Sequence, residues 1–175
     1  MEDVKKVYKM LDWKQPKEVQ EEGRRLARNI TDLSLLYDPV GASPYAFMVC
    51  WKILCEKEDD DLLQYLDDFL VYIKDANRMA SDVVLSRLLV FSGNKLYPYY
   101  MKAVNSAIGR KDEYGFVWIG ALAELLDNRD LKAILYPDLI ERLKLFYKQY
   151  EWDERDDGDT LYLEYLKLSS IFSDS

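Results

Sequence analysis

Apolar residues recur at the spacing of α-helices along most of the chain, and no segment shows the sustained two-residue alternation of a β-strand. The clearest pattern starts at Leu62, where apolar side chains fall at i, i+1, i+4, i+7, i+8 and i+11 down to Ile73. A helix with such a one-sided apolar face must pack against another element. The sequence therefore predicts an all-α fold.

The same pattern predicts helices along the whole chain. Their expected bounds are Asp3–Asp12, Pro16–Leu33, Tyr45–Cys55, Leu62–Ile73, Asn77–Phe91, Leu96–Ile108, Glu113–Leu126, Pro137–Tyr147 and Thr160–Phe172. Asn77 is expected to cap its helix, and the Ser92-Gly93-Asn94 sequence is expected to stop it. Gly109 is expected to end the helix that follows.

Two segments near residue 40 stand out from this series. The segment Tyr37–Pro44 contains two prolines and a glycine and is the longest loop signal in the chain. The Tyr45–Cys55 segment that follows is apolar on all sides, which predicts a buried helix.

A similar apolar segment begins at Leu62, at Leu96 and at Leu135, with spacings of 34 and 39 residues. Such spacings, with two helices per unit, are typical of stacked helical repeats. We therefore expect one domain over residues 1–175, folded as a short α-α superhelix of HEAT- or armadillo-like repeats. The repeat core is expected at about residues 45–148, between an N-terminal cap and a C-terminal capping helix at about 160–172. The longer second spacing predicts that the third unit is the most irregular.

Composition adds a strongly acidic character to this picture. The 175 residues include 24 Lys and Arg and 32 Asp and Glu, for a net charge of −8, and the apolar fraction of 49% is typical of a globular protein. Binding to nucleic acid requires clustered cations that displace counterions from phosphates, so this charge balance opposes it. An acidic field instead attracts basic partners.

The two cysteines, Cys50 and Cys55, lie five residues apart in one predicted helix. They would point about 140° apart around its axis, which is a poor arrangement for a disulfide. We expect two free thiols in a reducing compartment. The acidic start, without a following apolar run, and the lack of a long apolar segment predict a cytoplasmic protein that does not contact a membrane.

The chain contains no histidine. This removes the commonest general base, the usual metal ligand and every Ser-His or Cys-His nucleophile pair. Neither the G-x-x-x-x-G-K-[ST] loop nor the G-x-G-x-x-G turn of nucleotide-binding proteins is present. Enzymes that depend on these groups are excluded.

Runs of carboxylates are the remaining candidates for chemistry. Asp59–Asp61, Asp67-Asp68 and Asp156-Asp157 could act as acid and base or bind a divalent cation. Adjacent acids do not by themselves converge on a site, and acids also favour the N-termini of helices. The segment from Asp153 has the glycine of a calcium loop at its sixth position, but Arg155 at the third would repel the ion. We therefore predict no catalytic residues, no metal site and no cofactor.

Tyrosine is abundant, with 14 residues, and tyrosine is enriched at protein-binding surfaces. When the helical register at Leu62 is carried through the three repeats, one side of each unit turns partly or wholly away from the apolar stripe. The residues on that side are Tyr65, Asp68, Tyr72, Tyr99, Lys102, Asp138 and Glu141. They form the predicted partner-binding face, and the alternative is that they are an ordinary solvated face.

The segment Asp75-Ala76-Asn77, which follows a leucine-rich helix and precedes a second one, resembles a group of uncharacterised bacterial HEAT-like repeat proteins. That group often has Asp-x-Asn-Trp-Pro at this point, whereas this chain has Arg78-Met79 in place of Trp-Pro. The resemblance covers about residues 13–148. It implies a protein-binding scaffold or an immunity protein of a bacterial toxin system, and it implies no catalytic residues.

Three functions remain open at this point. The first is a non-catalytic binding protein that blocks a basic partner by charge and aromatic contact. The second is a helical-repeat enzyme that acts on nucleic-acid bases, and the third is an architectural homo-oligomer.

Overall fold

The computed structural model describes residues 2–110, 113–135 and 139. All regular secondary structure within these residues is helical, and they contain no strand, so the all-α prediction is confirmed for this part of the chain. The α-helices are α1 (Glu2–Met10), α2 (Lys17–Arg28), α3 (Ser34–Tyr37), α4 (Pro44–Cys55), α5 (Asp59–Leu62), α6 (Leu66–Tyr72), α7 (Ser81–Leu89), α8 (Gly93–Arg110), α9 (Glu113–Glu124) and α10 (Arg129–Ile134). Short 3₁₀ helices occupy Leu63–Tyr65 and Leu125–Asp127.

Helix α4 is the buried helix that its composition predicts. Ser43 caps it by accepting a hydrogen bond from the Ala46 N–H at 3.3 Å, and Pro44 occupies the first turn. Cys50 and Cys55 are free and buried. Helices α2, α3 and α7 pack around α4, which places it at the centre of the first half of the fold.

The helix predicted to run from Pro16 to Leu33 ends earlier, at Arg28. The cause lies in Asp32, whose carboxylate accepts hydrogen bonds from the N–H and the hydroxyl of Ser34 at 3.2 and 2.6 Å. Local bonds of this kind compete with a continuing helix and favour a new start. Helix α3 therefore begins at Ser34, and residues 29–33 form a connecting segment.

The stripe that begins at Leu62 is buried as predicted, but its backbone is not one helix. The side chains at its core-facing positions are fully or almost fully buried: Leu62, Leu66, Phe69, Leu70 and Ile73. The 3₁₀ turn Leu63–Tyr65 separates α5 from α6. The angular position of side chains before this turn therefore differs from that of a continuous α-helix.

The predicted cap at Asn77 is wrong. The N–H of Asn77 bonds the Asp75 carboxylate at 3.1 Å, and the N–H of Arg78 bonds the Asp75 carbonyl at 3.0 Å, so these residues form a turn of their own. Helix α7 begins four residues later at Ser81, after Ala80 in the left-handed conformation with φ 69°.

Helix α8 is longer than predicted at both ends. Gly93 begins it rather than stopping the helix before it, and Gly109 lies inside it. Pro98 also lies inside α8, on an exposed position. The carbonyl that would have bonded its missing N–H belongs to exposed Asn94, where water can satisfy it.

Helix α10 lies between the start of the second repeat at Leu96 and the start of the third at Leu135, where the spacing is longer and the sequence pattern predicts no helix after Leu126. Asn128 starts it by accepting a hydrogen bond from the Leu131 N–H at 3.0 Å. The Asn128 amide nitrogen donates to the carbonyls of Leu88 and Phe91 at 2.8 and 2.9 Å. One buried side chain thus fixes α10 against the turn between α7 and α8.

Apart from Leu139, which is buried, the remaining predicted elements lie outside the described residues. They are the Pro137–Tyr147 helix, the acidic segment 151–159 and the Thr160–Phe172 capping helix. Among the described helices, none combines the length and the apolar character that a membrane span requires.

Candidate interaction surface

Six aromatic side chains form one cluster around Trp51 of α4. The aromatic cluster consists of Tyr37, Phe47, Trp51, Tyr65, Phe69 and Tyr72. The Trp51 ring lies 4.4 Å from the Tyr72 ring and 5.5 Å from the Tyr37 ring, centroid to centroid. The Tyr37 and Tyr65 rings stack at 5.0 Å. The cluster joins α3, α4 and α6 and so fixes the surface that these helices share.

Polar atoms of the cluster are satisfied at its edge. The Trp51 indole donates to the Tyr37 carbonyl at 3.1 Å, and the Tyr37 hydroxyl donates to the Asp68 carboxylate at 3.1 Å. The Tyr72 hydroxyl donates to the Met79 carbonyl. Because Asp68 is exposed, the cluster reaches solvent through the Tyr37–Asp68 pair.

Two of the predicted contact residues are buried. Tyr65 is 8% exposed and Tyr72 is 6% exposed, so the expectation that both turn away from the core is wrong. Their rings belong to the aromatic cluster, since the 3₁₀ turn shifts the register and a tyrosine ring packs as an apolar surface. Arg78 covers the Tyr72 ring at 3.9 Å from its centroid.

The other predicted contact residues have different environments. Asp68 and Lys102 are exposed, and Tyr99 is half-buried. Lys102 is bonded to Asp67 at 2.6 Å, which joins α8 to α6. Asp138 and Glu141 lie outside the described residues. Whether any of these residues binds a partner stays a prediction.

Next to the aromatic cluster, an open cleft of about 780 Å³ separates the segment after α2 from the start of α5. We call it the cleft. Its lining residues are Arg28, Asn29, Ile30, Thr31, Asp32, Leu33, Ser34, Lys57, Asp60, Asp61, Gln64 and Tyr65. Tyr65 brings the edge of the aromatic cluster into this polar lining.

The basic groups of the cleft are already bonded within the protein. Arg28 holds Glu56 through two hydrogen bonds, at 2.7 and 3.1 Å. The Lys57 ammonium donates to the Arg28 carbonyl at 2.7 Å, and Asp60 pairs with Lys95 at 2.8 Å. Arg28 is thus paired with a carboxylate, whereas Lys57 is bonded to a neutral carbonyl and keeps its positive charge.

Three carboxylates on this side have no ion-pair partner among the described residues: Asp32, Asp61 and Asp68. We call these three the acidic face. Asp32 and Asp61 line the cleft with Tyr65, and Asp68 bonds Tyr37, which stacks on Tyr65. Sequence reasoning selected Asp68 and placed Asp61 in an acidic turn, but it did not select Asp32. The only sequence signal for Asp32 was its position two residues before Ser34, at the start of α3.

Both tyrosines beside the acidic face stay neutral in neutral solution. Burial raises the pKa of Tyr65, and the charge of Asp32 raises it further. Burial also raises the pKa of Tyr37, and the hydrogen bond to Asp68 adds to that effect. Neutral tyrosines therefore lie beside carboxylates that have no ion-pair partner among the described residues.

Other reactive groups in the described part of the chain serve the fold. Burial raises the pKa of Cys50 and of Cys55 to about 12, so both thiols are protonated at neutral pH. Asp59, the first acid of its run, is bonded to Arg87 and to the Ser92 N–H. No group of three or more Cys, Asp or Glu side chains arranged for a metal ion occurs within residues 2–110 and 113–135.

Comparison with protein-family models, with curated proteins and with solved structures finds no match to this chain. The similarity to HEAT-like repeat proteins therefore rests on the sequence features alone.

Proposed function

We propose that this chain is a non-catalytic protein-binding module, built as a short HEAT-like superhelix, that neutralises a basic partner in the manner of an immunity protein. The observation that carries this proposal is the acidic face, whose carboxylates at Asp32, Asp61 and Asp68 have no counter-ion among the described residues. Like charges held together on a surface disfavour the free protein and favour a complementary partner.

The rigidity of the surface supports the same function. Of the acidic face, Asp68 lies on α6, Asp61 on α5 and Asp32 just before α3. The aromatic cluster fixes α3 and α6 to α4, and it includes Tyr65 of the 3₁₀ turn that follows α5. A preformed surface loses little conformational freedom on binding, which favours affinity. We also propose that the protein acts in the cytoplasm. Its two cysteines are free thiols, which is typical of proteins in a reducing compartment.

The acidic face disfavours the two other functions. In a symmetric dimer through this surface, the acidic face would pack against the acidic face of the second copy, and like charges would repel. Phosphates of nucleic acid would be repelled for the same reason.

The test is an affinity capture from the native host with the full chain as bait, followed by mass spectrometry and by calorimetry with the purified partner. We expect a basic protein whose binding weakens as salt increases. The double variant Asp61→Lys/Asp68→Lys should weaken binding about 100-fold, because each reversal places like charges in contact.

The matched control is Glu18→Lys/Glu21→Lys on α2, which changes the net charge by the same amount. Both residues are exposed, and they lie about 10–15 Å along the helix axis from Arg28 at the cleft. This exceeds the screening length of about 8 Å at physiological salt. Equal losses in the two double variants, or an acidic partner, would contradict the proposal.

A further inference from the structure

The turn that follows α1 presents a tryptophan on the surface of the protein. The side chain of Trp13 is 63% exposed. The backbone around it is fixed, because the Gln20 side chain donates to the Trp13 carbonyl at 3.3 Å. The Asp12 carboxylate also accepts the Lys14 N–H at 2.9 Å. A large side chain on a backbone that is already fixed loses little conformational freedom on binding.

Trp13 differs from the other tryptophans of the described residues. Trp51 donates its indole N–H to the Tyr37 carbonyl at 3.1 Å, and Trp118 donates to the Leu70 carbonyl at 2.7 Å. The indole N–H of Trp13 has no such partner among the described residues. Its ring and its donor are therefore both available to a ligand.

The charged side chains beside Trp13 are mostly basic. Residues 5–17 contain five lysines and one carboxylate. All five lysines are exposed, and among the described residues only Lys17 has an ion-pair partner, Glu21 at 3.9 Å. The three lysines of α1 lie opposite its buried Val7 and Tyr8. We define the N-terminal face as Lys5, Lys6, Lys9, Trp13 and Lys14.

A second aromatic side chain and a further cation lie next to this face. Gln20, which holds the Trp13 carbonyl, lies one helical turn before Arg24 on α2. Arg24 donates to the hydroxyl of exposed Tyr45 at 3.3 Å and has no carboxylate partner among the described residues. The surface around Trp13 thus combines exposed aromatic rings with unpaired positive charge.

We propose that the N-terminal face binds an acidic segment of a second protein, one that also carries an apolar side chain. The Trp13 ring packs on the apolar side chain, while its indole N–H and the lysines contact carboxylates. Tryptophan, tyrosine and arginine are the residue types that most often dominate the free energy of binding at protein interfaces. This partner is not the basic partner of the acidic face, since the two surfaces have opposite charge.

A membrane or a nucleic acid fits the N-terminal face less well than a short segment does. The chain has a net charge of −8, so acids dominate outside residues 5–17. Charges act over about 8 Å at physiological salt, so a short acidic segment is attracted by the nearby lysines alone. An extended anionic surface would also meet the acidic regions. The apolar side of α1 is buried in the core and is not available for insertion into a bilayer.

The test is an NMR titration of the ¹⁵N-labelled full chain, followed at the indole N–H signals. The four probes are the peptide Glu-Glu-Leu-Glu-Glu-Leu, the same peptide with glutamine in place of glutamate, vesicles of phosphatidylserine and phosphatidylcholine, and a single-stranded oligonucleotide. The Trp13 signal is identified by its absence from the spectrum of Trp13→Phe.

We expect the acidic peptide to shift the Trp13 signal and to leave those of Trp51 and Trp118, which are bonded inside the protein, unchanged. The glutamine peptide should shift none of them, and added salt should weaken binding of the acidic peptide. No shift of the Trp13 signal with the acidic peptide would overturn the inference. Tighter binding of the vesicles or of the oligonucleotide would overturn it in favour of a membrane or a nucleic acid.

Point variants locate the effect on the N-terminal face, with binding of the acidic peptide measured by calorimetry. We expect Trp13→Ala to weaken binding about tenfold and Lys9→Gln/Lys14→Gln to weaken it about fivefold. The matched control is Arg129→Gln/Lys132→Gln, which removes the same charge from exposed positions of α10 and should leave binding unchanged. Unchanged binding in Trp13→Ala, or an equal loss in the control, would contradict the inference.

The same variants separate this surface from the acidic face in the affinity capture. An acidic protein that is lost with Lys9→Gln/Lys14→Gln but kept with Asp61→Lys/Asp68→Lys binds the N-terminal face and supports this inference. An acidic protein that is lost with Asp61→Lys/Asp68→Lys instead would contradict the proposed function.

Discussion

Arg87 donates a hydrogen bond from Nη2 to Oδ1 of Asp59 at 2.5 Å and so joins α7 to the first residue of α5. The other Asp59 oxygen accepts the Ser92 N–H at 2.9 Å, and Nη2 of Arg87 also donates to the Lys57 carbonyl at 3.0 Å. The two charged side chains are only 13% and 20% exposed. This ion pair and its hydrogen bonds therefore tie residues 57–59 to residues 87–92, which are distant in sequence.

We predict that Asp59→Ala lowers the free energy of unfolding by about 2–3 kcal/mol. The change leaves the Arg87 guanidinium partly buried without its counter-charge and leaves the Ser92 N–H without its acceptor. Urea unfolding followed by circular dichroism measures the loss. The control is Asp60→Ala, next in the chain, whose bond to Lys95 is at the surface and should contribute little. Similar losses in both variants would show that the partly buried Arg87–Asp59 pair contributes no more to stability than the surface pair of Asp60 and Lys95.

Two glycines of α8 should respond to alanine in opposite ways. A Cβ at Gly93 would overlap backbone atoms of Asp130 and Leu131, so Gly93→Ala must push α10 away from α8. We expect a loss of about 3 kcal/mol or more in the free energy of unfolding. A Cβ at Gly109 meets nothing within 4 Å, and Gly109→Ala should stabilise the helix by about 0.5 kcal/mol.

Thermal and urea unfolding of both glycine variants test this pair. A stable Gly93→Ala protein would mean that α8 and α10 do not approach as closely as the structure shows. Unchanged stability of Gly109→Ala would place Gly109 outside the regular helix.

Local patterns predicted the apolar positions well because burial follows helical spacing. Leu62, Leu66 and Phe69 are buried as the stripe requires, and α4 is buried as its apolar composition requires. Local patterns failed to predict helix boundaries that depend on contacts between residues distant in sequence. Gly93 has the sequence signal of a helix stop, yet it begins α8 because α10 needs close approach to its backbone.

The candidate surface was only partly predictable for a related reason. Asp68 was selected correctly as an exposed residue, but Tyr65 was expected on the same outer side and instead packs on Tyr37 and Phe69. The partner rings come from elsewhere in the chain, so helical spacing alone does not reveal them. Asp32 was missed because its importance depends on the cleft, which forms only when the segment after α2 lies against α5.

Tyr100 is fully buried, and its hydroxyl is the one buried side-chain polar atom without a hydrogen bond among the described residues. Burial of such a group costs free energy, since it has lost water and gained no partner. We predict that Tyr100→Phe raises the free energy of unfolding by about 1 kcal/mol. Tyr72→Phe is the control: it removes a hydroxyl that donates to the Met79 carbonyl and should lower stability by a similar amount. If Tyr100→Phe destabilises, the hydroxyl has a partner in solution.

Stability should fall at alkaline pH because of the two buried thiols. Burial raises the pKa of Cys50 and of Cys55 from 9.0 to about 12 in the folded protein. Between these values the unfolded chain has released both protons while the folded chain retains them, so the free energy of unfolding decreases as pH rises. At pH 10 the two thiols together should account for a loss of about 2–3 kcal/mol relative to pH 7.

Urea unfolding at intervals from pH 7 to pH 10.5 measures this fall, with Cys50→Ala/Cys55→Ala as the comparison. The double variant is expected to be less stable at pH 7, because each change leaves a small cavity in the core. Its stability should nevertheless decline less between pH 8.5 and pH 10, since the two titrating groups are gone. Burial also raises the pKa of Tyr8 to about 12, with smaller increases from the negative charges near it, so part of the decline above pH 10 persists in the variant. Parallel curves for the two proteins across this range would show that the thiols are not buried in solution.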